Sequence, residues 1–200
     1  MTVAVDIINS ALTKLGQKHI SSLTEDNDVA RICHAQYLVT RDMLISSYNW
    51  NFSLKRDEIS KSTQSLPWGD ANVFDLPQDC IRVCQVLNTG FQKIRYMLQG
   101  RNILSTEDTI YLLYGTASVP ESFYGPYFKE ALSTQLAHDL CYKFTNSAAY
   151  KGQLMQEKEL VISRAMSKDS QEIGPEEYDF TLFTNSRMTG VETDYYHGDY

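Results

Sequence analysis

Apolar residues recur at helical spacing near both ends of this chain and alternate through its middle, and that change of period predicts its organisation. Over residues 6–15, Ile8, Ala11, Leu12 and Leu15 mark a short amphipathic helix, with Gly16 as its stop. Ser22 with Glu25 fits a capping box, and Glu25, Asp26 and Asp28 suit a helix N-terminus. A second helix is expected from about there to Ser47, burying Ala30, Cys33, Tyr37 and Leu44, with Ile32, Val39 and Met43 widening its stripe for burial on more than one side. The period changes at Tyr-Asn-Trp-Asn-Phe-Ser-Leu-Lys-Arg, residues 48–56. Phe52, Leu54 and Arg56 then share one side of a strand, so Trp50 and Phe52 sit at a structural corner that seals two layers.

Further strands are expected over 73–76, 81–87, 91–98, 102–104 and 109–114, with Asn88-Thr89-Gly90 as a hairpin turn and another turn at Gly100. Pro126 suits the first position of a third helix, whose Phe128, Leu132, Leu136 and Leu140 recur every four residues, with Ala131 and Cys141 on the same face. Ser147 can cap a fourth helix that buries Leu154, Val161, Ile162 and Ala165. The fold class expected is α+β and mainly α: a four-helix bundle from residues 1–49 and 116–170, an inserted antiparallel β-region over 50–115, and an extended C-terminal arm over 171–200.

Charge sets the arm apart. Of the net −7, residues 171–200 hold −6, with seven acids against Arg187, while six aromatics, Tyr178, Phe180, Phe183, Tyr195, Tyr196 and Tyr200, run through the same stretch. A merely solvated tail carries few aromatics, so these are the candidate partner-binding residues. The near-neutral remainder, with seven bases balanced by seven acids between Trp50 and Gly115, argues against a basic nucleic-acid footprint. No apolar run reaches the roughly 18 residues of a membrane span, and Asp6 interrupts the first apolar stretch, so neither span nor signal peptide is expected and the chain is expected to be made in the cytoplasm.

Candidate chemistry is sparse. Cys80-x-x-x-Cys84 with His138-x-x-Cys141 places each pair on one face, as tetrahedral zinc requires, but core positions suit free buried thiols better. Asp57 and Glu58 are adjacent in a strand and therefore face opposite sides, which a two-carboxylate hydrolase does not allow. No nucleophile elbow, phosphate loop or dinucleotide fingerprint is present. The expectation is no catalysis, no cofactor and no metal.

The order of these signals resembles the tail tubular protein A family of short-tailed phages (podoviruses), the adaptor between portal and tail. The resemblance rests on Ile8-Asn9-x-Ala11-Leu12-x-x-Leu15-Gly16, Ile20-x-Ser22-Leu23 with Glu25-Asp26, Ala30, Tyr37, Arg41-Asp42 and Trp50-Asn51-Phe52. It continues through Leu76-Pro77-x-Asp79-Cys80, Tyr114, Pro120, Phe128, Ala131-Leu132 and Leu136-Ala137, and spans residues 5–170. It implies a helical bundle with an inserted β-region, assembled as a dodecameric ring between the portal protein and the tail tube or nozzle protein of the virion. DNA would pass through its channel without sequence-specific binding. Within that picture the aromatic arm docks on the portal and the loops at 60–70 and 88–90 face the nozzle. A virion-associated cell-wall hydrolase is the alternative, and a module regulating a host protein is a third.

Overall fold

A computed structural model of the chain describes residues 2–64, 66–69 and 71–172, so the aromatic arm lies outside the described residues. The fold is α+β, with four helices and two small three-stranded antiparallel sheets inserted between the second helix and the third. Helix α1 (Val3–Lys14) begins three residues earlier than its apolar stripe suggests, and Gly16 follows in the left-handed region at φ 66°. Helix α2 (Asp28–Ser47) starts later than the Ser22 signal suggests. Its cap is Asn27, whose Oδ1 accepts from the Ala30 N–H at 2.7 Å. Glu25 instead turns back to accept from the Ser21 N–H and hydroxyl, so the expected capping box is a loop turn.

Helix α3 (Pro126–Thr145) is the centre of the helical part, with α1, α2 and α4 (Ala148–Gln171) all packed on it. Every residue from Ala131 to Ala137 is buried, so the middle two turns of α3 lack the polar face of an amphipathic helix, while Tyr127, Glu130 and Tyr142 toward its ends are exposed. Its buried polar side chains are satisfied locally. Ser133 and Thr134 hydroxyls donate to the Glu130 carbonyl at 2.9 and 2.8 Å, and Gln135 Nε2 donates to Asp139 Oδ1 at 2.9 Å. Asn146 ends the helix in the left-handed conformation, and Ser147 caps α4 by accepting from the Tyr150 N–H. On α2, Ile32 packs on the helical core as expected, but Val39 is 63% exposed and Met43 49%, so the stripe widens less than its pattern implies.

The corner differs from a direct helix-to-strand junction. Asn51–Ser53 forms one 3-10 turn, so Phe52 lies before the strand, and β1 runs Leu54–Ser60. In the first sheet β6 (Thr109–Thr116) is central, flanked by β1 and β3 (Cys80–Leu87), with Glu58 opposite Tyr111 and Asp57 opposite Leu112. The second sheet has the order β2 (Asn72–Asp75), β5 (Asn102–Ser105), β4 (Met97–Gln99). The antiparallel β-region expected over 50–115 is therefore divided into two sheets. They share a core of Phe74, Cys80, Val86, Ile103, Ile110, Leu112 and Tyr114, separate from the helical core.

The expected hairpin at 88–90 is a tighter device. Asn88 Oδ1 accepts from the Gly90 and Gln92 N–H groups, and Phe91 takes φ 57°. Residues 91–94 then run back along β3, bridged at Leu87–Lys93, without forming the long strand that alternation implies. Gly100, at φ 62°, opens the two-residue turn between β4 and β5, where a positive angle at the first position suits glycine.

Candidate functional site

The corner gathers aromatic packing and hydrogen bonds from α2, α3 and α4. Trp50 is 1% exposed, and its Nε1–H donates at 2.8 Å to the Leu44 carbonyl in the last turn of α2, an acceptor it shares with the Ser47 hydroxyl. Its ring meets Tyr48 edge-on at 5.1 Å and Phe128 of α3 at 4.9 Å. Phe52 packs on Phe128 at 4.7 Å and on Tyr124 at 5.1 Å. Edge-to-face contacts of this kind add about 0.5–1.5 kcal/mol each beyond burial. Trp50 and Phe52 thus join the end of α2, the start of α3 and the first turn before the sheets.

Helix α4 closes the corner from the other side. The Asn51 N–H donates to both carboxylate oxygens of Asp169, at 3.3 and 3.1 Å, and Asn51 Nδ2 donates to the Asp169 carbonyl at 2.7 Å. Burial holds the Asp169 carboxyl above its usual range, opposed by the Asn51 bonds. Ser170, the next residue, and the Tyr48 hydroxyl are hydrogen-bonded, so α4 ends beside the corner. Between these groups lies a cavity of about 90 Å³ lined by Trp50, Phe52, Phe123, Pro126, Lys168 and Asp169. Tyr124, on the inner side, has a buried hydroxyl without a hydrogen-bond partner among the described residues, and burial pushes its phenol up to about 12.

A second polar cluster ties the inner face of the first sheet together. Asp79 accepts from Lys55 Nζ at 2.6 Å, from Thr116 Oγ1 at 3.0 Å and from the Tyr114 hydroxyl at 3.3 Å, and Tyr114 also reaches Asp57 at 3.1 Å. The Lys55 hydrogen bond is the main reason the Asp79 carboxyl sits below its usual range. Burial, then Asp57, pushes the Tyr114 phenol up. Sequence reading singled out the Leu-Pro-x-Asp stretch but not its partners, which come from strands 24 and more residues away.

The proposed zinc ligands are not brought together. Cys80 belongs to the sheet core and Cys141 to the helical core, Cys84 donates to Asn49 Oδ1 at 3.2 Å, and His138 Nδ1 lies 3.1 Å from Asp139. Among the described residues no group of three or more His, Cys, Asp or Glu side chains is placed to hold a metal, and no helix is long and apolar enough to cross a membrane. Asp57 takes the inner face with Tyr114 and Glu58 lies opposite Tyr111 on the outer one, so this carboxylate pair does not converge. Tyr178, Phe180, Phe183, Tyr195, Tyr196 and Tyr200 lie outside the described residues. Comparison with protein-family models and with curated proteins gives no match.

Proposed function

We propose that the chain is a structural head-to-tail adaptor of a short-tailed phage, a non-enzymatic virion protein joining the portal protein to the tail tube or nozzle. The observation that carries this reading is the order and spacing of its corner, cap and core motifs over residues 5–170, which resemble the tail tubular protein A family. The order helix, helix, sheets, helix, helix agrees with it. In this reading the four helices form one bundle gathered on α3, and copies of the bundle close into a dodecameric ring around the passing DNA.

A closed ring needs two different faces on each subunit. Exposed apolar side chains supply candidates on α2, at Leu38, Val39 and Met43, and on α4, at Met155 and Leu160. Trp68, 83% exposed in the loop after β1, is an anchor of the kind that hot spots use, on the side assigned to the nozzle. The aromatic arm is assigned to the portal. Balanced charge along the remaining chain suits DNA that slides without being held. Electron microscopy of the protein mixed with its portal tests the proposal. Rings capping the portal are expected; dispersed monomers, or a lytic zone on a peptidoglycan gel, overturn it.

A further inference from the structure

Three of the four sheet edges carry some protection. β1 has exposed Lys55, Arg56, Asp57 and Glu58, a charged run that discourages strand addition. The outer side of β2 is met by Ser62, whose N–H donates to the Val73 carbonyl at 2.7 Å. The end of β3 is covered where the Ile94 N–H donates to the Val86 carbonyl at 3.2 Å. β4 has no such device among the described residues. It is the outer strand of its sheet, Met97 is 65% exposed and Leu98 50%, and Gln99 is exposed as well.

The backbone of β4 is open in a defined register. The two-residue turn Gly100-Arg101 makes Gln99 and Asn102 the closing hydrogen-bonded pair, so the next pair, Leu98 and Ile103, is a non-hydrogen-bonded one. The N–H and carbonyl of Leu98 therefore point away from β5, toward the free edge. A residue pairing with Leu98 from that side would project its side chain to the same face as Leu98 and Ile103.

On that face lies a hollow of about 360 Å³, lined by Leu76, Ile81, Arg82, Val83, Leu98 and Arg101 and by no carboxylate. Its two guanidinium groups meet neutral acceptors: Arg82 donates to the Ser46 carbonyl, and Arg101 to the carbonyls of Pro77 and Cys80. Residues 91–101 add exposed Lys93 and Arg95 and contain no acid, while Asp75 on β2 lies beyond β5. The edge thus offers backbone hydrogen bonds beside a positive, apolar-walled hollow.

We infer that β4 takes an extended acidic peptide of a partner protein as a fourth strand, paired with Leu98 through its backbone and setting a carboxylate side chain in the hollow with Arg82 and Arg101. In strand addition main-chain hydrogen bonds give affinity and alternate side chains give selection, and carboxylate-to-guanidinium bonds are charge-assisted. A second copy of the chain would bring the same bases to the edge, and like charges disfavour that pairing. The inference does not depend on the adaptor reading.

Titration of the full-length protein with a fluorescein-labelled, capped heptapeptide alternating valine with glutamate tests it, beside the same peptide carrying lysine. The glutamate peptide is expected to bind on the order of tenfold more tightly. Adding it should slow amide exchange at 97–99 and leave α3 unchanged. L98P removes the outward N–H without removing a ladder bond, so β5 should stay protected while glutamate-peptide binding is lost. R82E should turn the preference toward the lysine peptide, a reversal that loss of structure alone does not give. Equal binding of both peptides, binding of neither, or unchanged binding by L98P overturns the inference. Protection of 97–99 before any peptide is added also overturns it: protection constant with protein concentration assigns the edge to the chain itself, and protection that grows assigns it to a second copy.

Discussion

Trp50 does two jobs, as a buried tryptophan can with its large ring and its single N–H donor. Its ring fills the junction between α2 and α3, while its N–H joins the Ser47 hydroxyl in donating to the Leu44 carbonyl in the last turn of α2. Its position at a change of period made the packing role legible, since a large aromatic there has two layers to seal. The hydrogen bond was not legible, because it depends on where the last turn of α2 ends. Trp50→Ala should cost about 3–5 kcal/mol, read as a lower urea midpoint at unchanged slope. Trp50→Phe should recover much of the packing and not the hydrogen bond. A midpoint unchanged by the alanine substitution would remove Trp50 from the foundations of the fold.

The helices separate what periodicity can and cannot tell. Stripes on α1 and α4 located both, and Ser147 was recognised as a cap because the helix pattern begins directly after it. The N-terminus of α2 was misplaced because Ser22 with Glu25 has the spacing of a capping box while Asn27 supplies the bond. Side-chain acceptors of this class compete for nearby N–H groups, and spacing does not choose among them. Asn27→Ala should therefore cost about 1 kcal/mol in thermal or urea unfolding, and Ser22→Ala only a few tenths. The reverse order would restore the capping box. Helix α3 was read as amphipathic from Phe128, Leu132, Leu136 and Leu140. Between Ala131 and Ala137 the opposite face is buried as well, since Ser133 and Thr134 return their hydroxyls to the helix backbone and so cost little to enclose.

At the scale of the whole molecule, the described residues form two cores on either side of the aromatic corner, one among the helices and one between the sheets. Such an arrangement opens in parts. Phe74→Ala, deep in the sheet core, should cost about 3–5 kcal/mol. Hydrogen exchange should then show amides of β2, β5 and β6 losing protection while those of α3 keep theirs. Equal loss in α3 would show a single cooperative unit. Local patterning alone determined the alternation of helical and extended regions, the corner between them, most of the buried apolar set and the distinct composition of the arm, because period and charge are properties of neighbouring residues. Tertiary structure alone decided that the middle of α3 is buried on every face, that the strands divide into two sheets, and that Asp79 collects Lys55, Tyr114 and Thr116. Each of these depends on which segments meet across long stretches of chain, and a strand's own residues do not reveal which of its two edges another segment will cover.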